Sequence, residues 1–216
     1  MVYSFFRLLA FIACKILFGL QAQGLENIPR KGGFILASNH ISYLDPIVLG
    51  AICPRKLNFM SKQELFCNSF FSWFLSQVGA FPVKRDSADL SSLKYAMRCL
   101  KEGKALILFP EGSRRFDSAS TEPYAGIGFL TAKSYVPVIP VFIEGTEKAL
   151  PAGAKFIRPA KISVHFGKPR SFYHKEASDI EKERGKQISI ERRVPYQDVA
   201  KHIMENIRHL SCGELN

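Results

Sequence analysis

Two kinds of apolar spacing alternate along the chain. Short continuous runs, Phe34–Ala37, Leu57–Met60, Ala105–Phe109 and Val136–Ile143, have the length and character of buried strands. Gly79–Arg85 reads as a strand leading into a basic pair, and Lys161–Phe166 as the last strand. Between them lie stretches with helical spacing. Pro46 opens a short helix that stops before Pro54. Lys62–Gln77 is an aromatic-rich helix candidate. Ser87–Glu102 shows one apolar face (Leu90, Leu93, Met97, Leu100) and ends at Gly103. A further helix runs from about Gly126 to Tyr135, and Pro195–Leu210 closes the chain through Val199, Ile203, Ile207 and Leu210. Gln21–Gly33, with three glycines and a proline, reads as a linking segment. Alternation of strands and helices predicts an α/β class: a single domain with a largely parallel central sheet flanked by helices.

Two of these segments carry more apolar surface than a core-facing stripe needs. In Lys62–Gln77 the polar residues Asn68, Ser69, Ser72 and Ser76 cluster, leaving an apolar arc of about 200° on a helical wheel. Burial on two sides, an acyl-chain groove and contact with a bilayer all fit that arc. Residues 1–20 are apolar apart from Ser4, Arg7 and Lys15. No small-x-small cleavage site follows, so a cleaved signal peptide is a poor fit. A short tilted span, a helix packed on the domain and an interfacial helix remain; Arg7 and Lys15, able to snorkel to lipid phosphates, favour the interfacial anchor. The expected organisation is a membrane-associating apolar helix over residues 1–22 and a folded domain over 23–216.

Composition narrows the class. The 216 residues are 47% hydrophobic with 18 Phe, which suits a packed core and argues against disorder. The formal charge of +11 is concentrated in the main body. Residues 1–175 hold 23 Lys and Arg against 11 Asp and Glu, whereas residues 176–216 hold 7 against 8. Such a body suits phospholipid head groups, phosphorylated substrates or nucleic acid. Five scattered cysteines without a C-x-x-C pair point to a reducing compartment rather than a disulfide or metal framework.

The candidate chemistry lies where apolar runs end. Phe34–Ala37 leads into Asn39-His40, and Asp45-Pro46 follows as a helix start with Asp45 as the expected cap. On one continuous helix the i,i+5 spacing would set His40 and Asp45 about 140° apart, so a turn is needed to bring them together. In a turn, Asp45 can orient His40 as a general base. Alone, the pair reads more readily as a capped helix beside an ordinary histidine. Two further strand ends change that: Lys84-Arg85, and Glu111-Gly112-Ser113-Arg114-Arg115 after Ala105–Phe109. Carboxyl ends of parallel strands face one way, so these groups can share a crevice. Arginine forks match phosphate oxygens, and Gly112 would let backbone N–H groups approach an anion.

Four blocks in order give the sequence a resemblance to the 1-acyl-glycerol-3-phosphate (lysophosphatidate) acyltransferase family. Asn39-His40-x4-Asp45 matches N-H-x4-D. Gly79–Arg85 is similar to the glycine-apolar-arginine block, Phe109–Arg114 to F-P-E-G-[T/S]-R, and Val136–Val141 to V-P-[apolar]2-P-V. They span residues 34 to 143. The resemblance implies acyl transfer from acyl-CoA or acyl carrier protein to the free hydroxyl of a lysophospholipid acceptor, 1-acyl-glycerol 3-phosphate, giving phosphatidate at the cytoplasmic face of a phospholipid membrane. It implies His40 and Asp45 as catalytic residues, and Arg85, Glu111, Gly112, Ser113 and Arg114 as the holders of the glycerol phosphate. No metal or bound cofactor is implied, because the thioester is a cosubstrate. Lys84, Arg115 and Tyr124-Ala125 depart from the usual residues: either Lys84 and Arg115 supply the basic charge absent before Gly126, or the acceptor head group differs. Within the same class the acceptor can be another lysophospholipid or glycerol 3-phosphate. A non-catalytic basic binder of membranes or nucleic acid is the alternative. It has no use for the His40/Asp45 turn, and aromatic residues are not interleaved with basic ones as single-strand binding requires, so no nucleic-acid partner is expected.

Overall fold

The computed structural model describes residues 2–83, 90–112, 122–151, 153–172 and 195–212. Helix α1 (Val2–Phe18) leads into β1 (Gln21–Gln23), then β2 (Phe34–Ser38), α2 (Asp45–Ile52), β3 (Leu57–Lys62), α3 (Ser69–Gln77) and β4 (Ala80–Val83). The order continues with α4 (Leu90–Lys101), β5 (Ala105–Leu108), α5 (Ala125–Ser134), β6 (Val138–Glu144), the one-turn α6 (Thr146–Ala149), β7 (Ser163–Phe166) and α7 (Tyr196–Ser211).

The strands form one sheet in the order β1-β7-β6-β2-β5-β3-β4. Every neighbouring pair is parallel except β6 with β7. The expected single α/β domain with a largely parallel sheet is what the chain forms. The central strands are covered on both faces, and their side chains divide by the period of two. Phe34 and Leu36 of β2 join Ile107, Ile139 and Val141 in a cluster with α1 and α2 residues such as Cys14, Phe18, Val48 and Leu49. Ile35 and Ala37 turn the other way, with Leu106, Leu108 and Val138, to meet Ala96, Leu130, Ile203 and Ile207 from α4, α5 and α7. Gly128 lets α7 lie close on α5, since a Cβ there would stand 1.8 Å from the Tyr196 carbonyl oxygen.

Several expectations are corrected. The two prolines of Val136–Ile143 suggest an edge or irregular strand; β6 is not an edge but interior, between β2 and β7. Pro137 precedes the strand. The Pro140 carbonyl faces β7, where it accepts from Gly167 N–H at 2.8 Å, and the Pro140 nitrogen faces the same side. The β6–β7 ladder begins only at Val141↔Phe166, so the missing N–H falls just beyond its end. The Lys62–Gln77 helix is divided: a 3-10 turn covers Gln63–Phe66, and α3 begins after Asn68. The Asn68 side chain accepts from Phe70 and Phe71 N–H (2.9 and 3.2 Å), a cap that starts a new helix there. Burial of that helix on two sides is also overturned, since none of its residues is buried. The linking segment contains a strand, β1, which pairs in parallel with β7.

Helix α1 packs along α2 by one edge, burying Cys14 and Phe18. Its cations are engaged with carbonyls: Arg7 Nε donates to Ala51 at 3.3 Å and Lys15 Nζ to Leu20 at 2.6 Å. Phe5, Leu8, Leu9, Ile12 and Ile16 stay exposed. Phe6 meets Phe74 of α3 edge to face at 5.1 Å, and α3 exposes Phe70, Phe71 and Trp73. Among the described residues no helix is long and apolar enough to cross a membrane.

Candidate active site

β2 and β5 are adjacent and parallel, so residues just past their carboxyl ends meet at one rim of the sheet. Past β2 the chain turns through Asn39–Leu44 before α2, and past β5 it turns through Phe109–Gly112. The β2 turn brings His40 and Asp45 together, with Nδ1 2.8 Å from Oδ2. Asp45 is fully buried, whereas the His40 side chain keeps 12% of its surface.

Asp45 is not the cap expected from sequence. Leu44 occupies the cap position and Asp45 is the first helical residue. Its carboxylate points back into the turn, where Oδ2 accepts from the Ile41 and Ser42 N–H groups at 2.8 Å each. Oδ1 accepts from the Thr146 hydroxyl at 2.6 Å. The carboxylate thus accepts on both oxygens and holds the turn rather than the helix. As an acceptor it requires the hydrogen on His40 Nδ1, which leaves the lone pair on Nε2. Phe109 stacks on the imidazole at 3.9 Å between centroids and 19° between planes, fixing the ring orientation.

Asn39 ties the turn to β6. Its amide donates to the Ile143 carbonyl and accepts from the Ile143 N–H, both at 2.8 Å. The Ser42 hydroxyl donates to the Leu150 carbonyl at 3.3 Å and accepts from Leu44 N–H. The catalytic candidates are therefore braced by the β6 end and by α6 as well as by their own turn.

Glu111 is 1% exposed, and neither carboxylate oxygen has a hydrogen-bond partner among the described residues. Burial pushes its carboxyl up to about 7, and the Asp45 charge adds to the rise. The His40 backbone and the Arg208 guanidinium act in the opposite direction, too weakly to offset the lost hydration. Gly112 takes the left-handed conformation at φ 64°, and its N–H closes the turn onto the Phe109 carbonyl at 3.0 Å. That N–H is engaged within the protein, and the Tyr124 ring lies 2.5 Å from where a Cβ would be. Arg85, Ser113 and Arg114 lie outside the described residues. Among the described residues, no three His, Cys, Asp or Glu side chains are placed to share a metal ion.

Sequence reading missed Thr146, Phe109 and the clamp role of Asn39. Thr146 had a usable signal, because Glu144-Gly145-Thr146 follows a buried apolar run just as Asn39-His40 does. Phe109 had none, since stacking depends on the approach of two turns.

A histidine held by a buried carboxylate thus lies at the carboxyl rim of a parallel sheet, and the comparisons give the family. The Acyltransferase family model matches residues 19–144, more than half of the chain. A 1-acyl-sn-glycerol-3-phosphate acyltransferase of Bacillus subtilis is 30% identical over 70% of this chain and 73% of its own length. The enzyme of that name from Streptococcus pneumoniae is 30% identical over 84% of this chain and 66% of its own. For the chloroplastic BAT2 acyltransferase of Brassica napus the identity is 31%, over 78% of this chain and 48% of that one. The crystal structure of the 1-acyl-sn-glycerophosphate acyltransferase PlsC from Thermotoga maritima shares the fold. Its TM-score is 0.73 at 23% identity, covering 97% of this chain and 79% of that one. The chain belongs to the acyltransferase family of enzymes.

Proposed function

We propose that this protein transfers a fatty acyl group from acyl-CoA or acyl carrier protein to the free hydroxyl of 1-acyl-glycerol 3-phosphate, forming phosphatidate for phospholipid synthesis. The observation that carries this reading is the 2.8 Å contact between His40 Nδ1 and a buried, fully bonded Asp45, which leaves Nε2 as the base. The names of the relatives supply the acceptor.

In the proposed step, His40 Nε2 takes the acceptor's hydroxyl proton as the oxygen attacks the thioester carbonyl. Asp45 stabilises the imidazolium that forms. The tetrahedral intermediate collapses, the carbon–sulfur bond breaks, and His40 returns the proton to the departing thiolate. An ester bond replaces a thioester bond with no covalent acyl-enzyme and no resident cofactor. Arg85, Ser113 and Arg114 are proposed to hold the glycerol phosphate. Glu111, poorly suited to face a phosphate, bonds a hydroxyl or fixes an arginine.

We also propose that α1 lies in the interface of a cytoplasmic membrane face and that the rest of the chain is the catalytic domain. The uncovered apolar face of α1, continued by the aromatic residues of α3, supports this.

Purified protein offered a panel of lysophospholipids and glycerol 3-phosphate, with each thioester donor, tests the reading by product mass. Phosphatidate formed from 1-acyl-glycerol 3-phosphate is expected. Transfer only to another acceptor would reassign the substrate, and full turnover by His40→Ala would sink the base assignment. Arg114→Ala should chiefly raise the acceptor KM.

A further inference from the structure

Among the described residues Phe156 is the most exposed large apolar side chain, at 80%, and Ile157 beside it is 52% exposed. Lys155 and Arg158 flank them directly, Lys161 follows, and all three are exposed. No Asp or Glu occurs between Lys148 and Lys175. We propose that Lys155-Phe156-Ile157-Arg158 is a wedge that enters the surface of a bilayer containing anionic phospholipid, as a contact separate from α1. Its purpose rests on the lipid-acceptor reading above; its physical basis does not.

The charge pattern selects the occupant. Two apolar side chains between cations match a bilayer interface, where the aromatic and aliphatic groups leave water while the cations stay level with phosphates. The wedge is also held in shape. Arg158 N–H donates to the Ala149 carbonyl at 2.8 Å, closing the loop at its base, and Ala154 N–H donates to Pro151 at 3.0 Å within it. A loop already closed loses little freedom on contact.

The base of this loop adjoins the candidate active site. Ala149 ends the helix whose first residue, Thr146, bonds Asp45, and the Leu150 carbonyl accepts from Ser42. On its other side the chain returns beside α1, where Ile162 N–H donates to the Phe18 carbonyl at 3.1 Å. The turn itself exposes Tyr43 (64%), and α2 exposes Ile47. Contact through Phe156 would therefore set the membrane surface against the rim that holds His40, where a lipid acceptor and its product enter and leave.

The test uses the full chain and vesicles of phosphatidylcholine alone or mixed with phosphatidylglycerol, at lipid concentrations that bind part of the unaltered protein. Phe156→Ser/Ile157→Ser should weaken sedimentation with the mixed vesicles about ten-fold. Lys155→Gln/Arg158→Gln should weaken it about five-fold per cation removed, with little change on phosphatidylcholine alone. In Trp73→Phe/Phe156→Trp the single tryptophan fluorescence should shift to the blue on mixed vesicles. Turnover of a short-chain, water-soluble lysophosphatidate should be unchanged in all three, which also shows that they fold. Equal sedimentation of the Ser variant and the unaltered protein, or a tryptophan at position 156 that stays in water, would overturn the wedge. Loss on charge removal alone would equally overturn it, by leaving attraction without insertion. If no variant or parent turns over the soluble acceptor, the lysophosphatidate reading fails while the vesicle comparison still decides the wedge.

Discussion

The Thr146 hydroxyl donates to Asp45 Oδ1 at 2.6 Å, joining residues 101 positions apart in a fully buried contact. The other carboxylate oxygen serves His40 and two backbone N–H groups. Thr146 therefore fixes the orientation of the carboxylate from outside its own turn.

Thr146→Val keeps the shape and removes the donor. Leaving a buried charged oxygen short of one bond should cost about 1–3 kcal/mol of stability. The rate constant kcat should fall by about ten-fold or more with KM little changed, since an orienting contact acts on the base rather than on binding. Thr146→Ser should restore most of it. Steady-state kinetics beside urea denaturation separates the two effects.

His40→Ala removes the proposed base, and kcat should fall by about 10²–10⁴-fold. Asp45→Asn is expected to be comparably damaging, because an amide oxygen facing His40, Ile41 and Ser42 carries no charge to stabilise the imidazolium and leaves an NH2 where Thr146 needs an acceptor. The same variant should lose stability, whereas His40→Ala should not lose it to the same degree. Thermal unfolding of both proteins checks that contrast.

Glu111 should make stability depend on pH. Its carboxyl rises from 4.5 to about 7 on folding, so the unfolded chain gives up its proton first. The native state is then favoured fully below pH 4.5, loses stability as pH rises from 4.5 to about 7, and is level above that. The loss reaches about 3 kcal/mol at most. Urea midpoints of Glu111→Gln should be flat across this window, where those of the unaltered protein fall.

Gly112→Ala separates strain from crowding. The Cβ would meet Tyr124, but that ring is 66% exposed and can swing away, so the left-handed φ of 64° decides the cost. A loss of about 1–2 kcal/mol is expected. Gly112→Asn, larger but tolerant of this conformation, should lose less. Chemical denaturation ranks them; the reverse order would make crowding the dominant effect.

Leu9→Ser/Ile12→Ser changes the exposed face of α1 without touching Cys14 or Phe18. Binding to phospholipid vesicles should fall about ten-fold or more while turnover of a soluble acceptor is kept. Unaltered vesicle binding would remove α1 as the anchor.

Much of this architecture was legible because burial leaves its mark on apolar spacing. Phe34–Ala37 and Ala105–Leu108 read as strands covered on both faces, and they are the neighbours that carry His40 and Glu111. The His40–Asp45 turn followed from the Asp-Pro start signal together with the i,i+5 spacing. What stayed hidden depended on partners distant in sequence. Pro140 suggested an edge because its missing N–H can be judged only against the place where β7 stops. Thr146 was passed over because nothing in its own stretch shows that its hydroxyl meets Asp45, 101 positions away. Asp45 was given to the helix because Asp-Pro is a good start signal, while the N–H groups of Ile41 and Ser42 compete for the same carboxylate.

The Asn39 clamp bears on how this enzyme opens. β2 and β6 pair up to Ser38↔Val141, and the Asn39 side chain adds one more rung by bonding both polar groups of Ile143. The turn that holds His40 is thereby an extension of the central sheet and not a hinged loop. It cannot swing away without exposing a strand interior, so its amide protons should exchange with solvent on the timescale of the core rather than of a surface turn. Any breathing at this rim then falls to the neighbouring segments, while His40 keeps its orientation.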